Sequence, residues 1–221
     1  MSLAQRLREQ GLYLRGVARL LPAEIEAYGF PAQRPLLALV GNIGSSYWSG
    51  FSRSPEFNDG DPDPLDRWSR RIAMSLADEF PVQPIYPFAG PPYYPFQQWA
   101  QRAEGLSQSP LGIMMHPQHG LWHSYRFALL GEHFEVSASP DPVVSPCVAC
   151  VNQPCLQACP VGAFDGDGYD VDRCAGYLRQ TPDADCHVRG CIARLACPVA
   201  PELRYVPEQG EFHLRAFLGS A

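Results

Sequence analysis

The spacing of apolar positions changes several times along the chain, and each change marks an element. Leu3 and Leu7 stand four apart in a polar stretch, which predicts a short amphipathic helix over residues 2–10, ended by Gly11. Residues 12–20 (LYLRGVARL) read as extended, and a turn is expected over 28–34. Residues 35–41 (PLLALVG) form an unbroken apolar run suited to a strand buried on both faces. The glycines, serines and aromatics of the following NIGSSYWSGFSRS could line a pocket or form a plain exposed loop.

Asp61, Pro62, Asp63 and Pro64 spell a helix start, with a capping acid, proline at the first position and acids in the first turn. Leu65, Trp68, Ile72 and Leu76 recur at helical spacing and predict a core face, and the helix should end before Pro81. The prolines of PVQPIYPFAGPPYYPFQQWA disfavour a central strand and predict an irregular extended passage before a helix over residues 96–104. Tyr86, Tyr93, Tyr94 and Phe96 in it could stack on a flat cofactor or cover a core edge.

Residues 116–120 (HPQHG) read as a turn, followed by a strand over 121–130. That strand would place Leu121, His123, Tyr125, Phe127 and Leu129 on one face and Trp122, Ser124, Arg126, Ala128 and Leu130 on the other. A second strand is expected at 133–136 (HFEV), then a linker over 137–146. This order of elements predicts an α+β fold in two domains, 1–138 and 139–221.

Composition narrows the function. No run of 18 apolar residues exists, so no membrane helix is expected, and the polar start MSLAQRLREQ does not read as a secretory signal. A cytoplasmic location is the expectation. All 17 basic residues are arginine, which excludes a lysine-bearing phosphate loop and any lysine Schiff base. The net charge of −6 and the lack of a basic stripe argue against a nucleic-acid partner.

The eight cysteines carry the candidate chemistry: Cys147, Cys150, Cys155, Cys159, Cys174, Cys186, Cys191 and Cys197. The 146 residues before Cys147 hold none. In a reducing compartment such clustering points to metal or redox chemistry rather than disulfides. The run Cys147-x2-Cys150-x4-Cys155-x3-Cys159-Pro160 resembles the bacterial ferredoxin run C-x2-C-x2-C-x3-C-P, with two residues added in the middle gap. Cys186-x4-Cys191-x5-Cys197-Pro198 is a wider version. In ferredoxins the fourth cysteine ligates the other cluster. On that rule Cys147, Cys150, Cys155 and Cys197 would hold one [4Fe–4S] cluster, and Cys159, Cys174, Cys186 and Cys191 a second. Alternatives are one cluster with a decayed second site, structural zinc, or disulfides; His187 is a conceivable ligand that the count does not need.

The middle element, Asp170-Val171-Asp172-Arg173-Cys174-Ala175-Gly176-Tyr177-Leu178, resembles the D-x-x-R-C-x-x-Y-L of the C-terminal ferredoxin domain of epoxyqueuosine reductases. Upstream, Gly112-Ile113, His116-Pro117, Gly120, Trp122, Arg126 and Leu129-Leu130 are similar to a pattern of the cobalamin-processing chaperone CblC, with Tyr93-Tyr94 in similar order. The resemblance implies a nitroreductase-like, CblC-like domain followed by a two-cluster ferredoxin domain. It implies electron transfer from two [4Fe–4S] clusters to a corrinoid (cobalamin), an oxidoreductase role resembling a cobalamin reductase. His116, Gly120, Trp122, Arg126, Tyr93 and Tyr94 would bind that cofactor. The Arg-Asp-Tyr-His signature of epoxyqueuosine reductases is absent from GSSYWSGFSRS, so tRNA reduction is not expected. Two other readings stay open: an electron carrier for a partner protein with an empty N-terminal pocket, and a flavin-dependent reductase using FMN.

Overall fold

The computed structural model describes residues 1–134, 144–165 and 168–220. Six strands lie among them: β1 (Tyr13–Arg19), β2 (Leu36–Ile43), β3 (Gln83–Ile85), β4 (Ser107–Gln108), β5 (Met114–Met115) and β6 (His123–Gly131). With the intervening helices they make an α+β fold. The chain divides into two compact units, Met1–Gly105 with His123–Pro142, and Leu106–Trp122 with Val143–Ala221.

The first unit is built on an antiparallel sheet in the order β1-β2-β6-β3. Successive side chains of a strand face opposite sides of a sheet. Leu37, Ala38, Leu39 and Val40 are all fully buried, so β2 is covered on both faces, as its unbroken apolar run predicts. β6 pairs with β2 along its whole length, and Phe127 to Leu130 are equally buried. The ladder slips by one residue between Val40 and Gly41. A Cβ on Gly41 would lie 1.9 Å from the Ser124 carbonyl oxygen, so only glycine allows that approach. Pro84 sits in β3, a three-residue edge strand where a missing N–H costs no ladder bond.

Helices pack on this sheet. The helix Leu3–Glu9 starts with a reciprocal cap, Ser2 Oγ accepting from Gln5 N at 3.3 Å and Gln5 Oε1 from Ser2 N at 2.9 Å. The helix Pro64–Glu79 buries Leu65, Trp68, Ile72 and Leu76, the expected face, against β6 and β3. Asp63 occupies its cap position in a left-handed conformation, and its side chain makes no cap hydrogen bond. The helix Phe96–Glu104 has the expected bounds and packs on β1.

Two stretches differ from expectation. Residues 22–28, given no element above, form the helix Pro22–Tyr28, closed by Gly29 at φ 63°. Its start is fixed by Glu24, which accepts from Leu21 N at 2.8 Å, and it buries no side chain, so it leaves no apolar periodicity to read. The stretch after β2 contains the helix Trp48–Phe51, and its aromatics are core rather than loop. Tyr47 and Phe51 are buried, each with its ring centroid 5.6 Å from that of Trp68.

The same unit holds a buried polar network. The Arg15 side chain is only 2% exposed and meets Glu104 at 3.0 Å and the Asn42 carbonyl at 2.8 Å. Tyr125 donates to the other Glu104 oxygen, and Ser124 donates to Asn42 Oδ1 at 2.5 Å. Burial first, and the Glu104 charge second, push the Tyr125 phenol well above its ordinary range, so it stays a donor.

In the second unit β4 and β5 form a small antiparallel pair ahead of the cysteine segment. Leu111, Met115 and Leu121 pack in one core with Cys155, Ala193 and Cys197. Residues 106–122 therefore group with the cysteines, although the sequence division above places them in the first domain. The helix Pro207–Ser220 packs on the helix Asp185–Arg189 where a Cβ on Gly210 would meet the Arg189 carbonyl at 2.7 Å. The second strand expected at 133–136 and the 138/139 boundary fall on or beside residues 135–143, outside the described residues.

Candidate metal centres

The cysteine side chains are placed by short helices and tight turns. Cys155 lies in the helix Pro154–Gln157, Cys174 in Val171–Gln180 and Cys186 in Asp185–Arg189, while Cys191 caps Ile192–Leu195. The helix Val171–Gln180 begins at Asp170, whose carboxylate accepts from Arg173 N at 2.9 Å. Ile192–Leu195 packs on Pro154–Gln157, which brings the two cysteine runs together.

All eight cysteines are free thiols, and they sort into two sets of four. Cys147, Cys150, Cys155 and Cys197 line one cavity, beside Met115 and Leu121. Cys159, Cys174, Cys186 and Cys191 line another. The electrostatic couplings follow the same division. Cys155 and Cys197 feel each other or Cys147 and Cys150, and Cys174 feels Cys159 and Cys186. Cys191 feels Cys186 and Cys174. This is the division the ferredoxin rule implies from the sequence.

Burial raises the thiol pKa of Cys147, Cys155, Cys174, Cys191 and Cys197. Each site would therefore favour a cationic core that compensates its thiolates. Backbone N–H groups already point at the sulfurs. Ala163 N donates to Cys159 Sγ at 3.3 Å, and Leu156, Val199 and the Ala193 and Arg194 amides oppose the rise at Cys155, Cys197 and Cys191. Among the described residues no three His, Cys, Asp or Glu side chains converge as a single ion requires. Four thiols around a space, largely apolar walls and amide donors to sulfur suit a cluster, so the residues present fit two [4Fe–4S] groups. His187 Nε2 lies 3.0 Å from the Leu178 carbonyl, a contact that occupies that nitrogen within its own unit.

The six residues expected to bind a corrinoid are divided between the units. In the second unit, His116 is buried and its Nδ1 accepts from Gln118 N at 3.0 Å and His119 N at 3.1 Å, which closes the expected turn. Gly120, at φ 58°, would bring a Cβ within 2.7 Å of the Val199 carbonyl, so it seats that turn on the cysteine segment. Trp122 is 1% exposed and contacts Tyr205 edge-on at 5.6 Å. In the first unit, Arg126 lies near Asp66 of the helix Pro64–Glu79 and lowers that carboxyl against a larger rise from burial. Tyr94 stacks on Phe30 at 5.6 Å and on Trp99 at 6.0 Å, while Tyr93 is 64% exposed. Of the other tyrosine and phenylalanine noted beside them, Tyr86 and Phe96 are both buried.

Sequence reasoning passed over the stretch after Cys197. Tyr205, His213 and Phe217 from it line the second cavity, and Tyr169, stacked on Phe164 at 4.7 Å, lines it too. The signal available was an aromatic or histidine recurring at 205, 212, 213 and 217 beside the apolar Leu214.

No family model matches the chain, and no curated protein does. Among solved structures, epoxyqueuosine reductase with an epoxyqueuosine-modified tRNA-Tyr stem loop is 16% identical, with a TM-score of 0.48 over 93% of this chain and 68% of that one. The B12-trafficking protein CblC of C. elegans is 13% identical, with a TM-score of 0.49 over 96% of this chain and 88% of that one. Epoxyqueuosine reductase from Bacillus subtilis is 16% identical, with a TM-score of 0.41 over 90% and 65%. These likenesses are too loose to transfer a residue role or an activity.

Proposed function

We propose that the protein is an iron–sulfur redox protein with two [4Fe–4S] clusters, one held by Cys147, Cys150, Cys155 and Cys197 and the other by Cys159, Cys174, Cys186 and Cys191. The observation that carries this reading is the sorting of the eight thiols into two sets of four, each lining its own cavity. When bound, such clusters supply single electrons at low potential, which is what reduction of Co(II) in a corrinoid requires. Around them the chain's residues direct amides to sulfur and exclude water: Met115 and Leu121 wall the first set and are buried.

The recipient we propose is a corrinoid associated with the N-terminal part, residues 1–138, which makes the protein an oxidoreductase. The support is the sequence pattern from Gly112 to Leu130. A carrier that serves a partner protein is the second reading. It is favoured by the engagement of Tyr94 in aromatic packing and of His116 in its own turn. Mixing the anaerobically reconstituted protein with cob(II)alamin under dithionite separates the two. A Co(I) spectrum formed faster than with dithionite alone supports the corrinoid reading. An unchanged cobalamin spectrum, with the clusters intact, leaves the carrier. A spectral change with FMN and none with cobalamin would favour a flavin reductase.

A further inference from the structure

The amide donors to sulfur described above belong to the backbone. Two further donors are side-chain hydroxyls, one at each cysteine set. The Tyr169 hydroxyl donates to Cys174 Sγ, and the Ser145 hydroxyl donates to Cys147 Sγ.

Each hydroxyl is held by contacts of its own. The Tyr169 ring stacks on Phe164 with centroids 4.7 Å apart and lies 6.1 Å from the ring of Phe217. One helical turn joins it to its sulfur: Asp170 N donates to the Ala163 carbonyl at 2.9 Å, and Cys174 N donates to the Asp170 carbonyl at 3.2 Å. Ser145 Oγ accepts from Cys147 N at 3.3 Å and from Ser107 Oγ, in β4, at 2.8 Å. A hydroxyl has two acceptor sites and one proton. With both acceptor sites engaged, the Ser145 proton is left for the sulfur, and the bond from Ser107 polarises it further.

A cysteine sulfur bound to iron keeps lone pairs that accept hydrogen bonds, and such bonds are one of the levers on cluster potential. Reduction adds negative charge that spreads onto the sulfurs, so a donor holds the reduced cluster more tightly than the oxidised one. We propose that Tyr169 and Ser145 each raise the reduction potential of one cluster, Tyr169 through Cys174 that of the second set and Ser145 through Cys147 that of the first. The inference rests on the two-cluster reading.

The test is an anaerobic redox titration of the reconstituted holoprotein followed by electron paramagnetic resonance. Cys197→Ser and Cys159→Ser, each expected to retain one cluster, assign the signals to the sets. Tyr169→Phe keeps the ring on Phe164 and removes the hydroxyl. It should lower the equilibrium constant for one-electron reduction of the second cluster about three- to tenfold, about 30 to 60 mV, and leave the first unmoved. Ser145→Ala should do the same to the first cluster alone, and Ser107→Ala should lower it by less. Ser145→Thr, which keeps a hydroxyl, should stay at the wild-type potential. An unmoved midpoint in Tyr169→Phe or Ser145→Ala, a rise in place of a fall, or one signal shifted by both variants overturns the proposal. So does loss of iron in either variant, since the hydroxyl would then hold the site together rather than tune it. Iron and sulfide on the same samples keep the readings apart. A wild-type count of about four per chain sinks the two-cluster reading, and the retained cluster still tests its own hydroxyl. A full count with unmoved midpoints sinks the tuning alone.

Discussion

Cys159 and Cys197 each precede a proline, and each lines the cavity of the set to which the rest of its own run does not belong. Cys159 closes the first run yet joins Cys174, Cys186 and Cys191; Cys197 closes the second yet joins Cys147, Cys150 and Cys155. This exchange gives each site four thiols from an unequal spacing.

Because of the exchange, single cysteine substitutions should act across the runs. Cys197→Ser should cost the first cluster and Cys159→Ser the second, each lowering iron from about eight to about four per chain. The two variants should keep different electron paramagnetic resonance signals after reduction. Cys150→Ser should match Cys197→Ser, not Cys159→Ser. A spectrum of Cys197→Ser matching that of Cys186→Ser would break the assignment.

Glu104 neutralises Arg15, whose side chain is almost wholly buried. Glu104→Gln leaves that guanidinium uncompensated and should lower stability by about 3 kcal/mol, measured by urea denaturation. Tyr125→Phe removes one hydrogen bond to the same carboxylate and should cost about 1 kcal/mol. Equal small losses in both variants would show that the pair does not act as a buried charge pair.

Gly41→Ala places a methyl 1.9 Å from the Ser124 carbonyl oxygen at the slip between β2 and β6. The two strands must part or the backbone must shift, at about 3 kcal/mol. A denaturation midpoint within error of the wild type would contradict the β2–β6 register.

Acid should weaken the first unit through carboxylates paired with arginine. Arg67 holds both Asp59 oxygens at 2.7 Å and draws the carboxyl down from 3.8 to about 2. A folded pKa below the unfolded one gives stability that is full above about pH 4 and is lost as pH falls through about 2. Glu56, held down by Arg71, has the same sign; Asp66, raised by burial, has the opposite sign and is relieved by protonation. Asp59→Asn should flatten the dependence of thermal stability between pH 4 and 2 without moving it between pH 5 and 7.

What was legible in the sequence was what a short segment settles alone. The continuous run of β2 shows burial on both faces because no polar position interrupts it. The grouping of the cysteines that line the two cavities is the one implied when the ferredoxin crossing rule is carried over to the two Cys-Pro pairs. The helix Pro22–Tyr28 was not legible because its anchor is distant: Glu24 accepts from Trp99 Nε1 at 2.9 Å and from Arg102 at 2.8 Å. The grouping of residues 106–122 with the cysteine segment has no local signal for the same reason, since the partners of Leu111, Met115 and Leu121 lie beyond Cys147. Arg194, midway between Cys191 and Cys197, carried no signal at all, because its aromatic partners come from residues 122 and 205.

The central claim is that two clusters occupy the two cysteine sets. Its most direct measurement is iron and acid-labile sulfide per chain, with Mössbauer spectra, on protein purified and reconstituted without oxygen. The expected result is about eight of each, all in [4Fe–4S] form. About four of each, or zinc in place of iron, would contradict it.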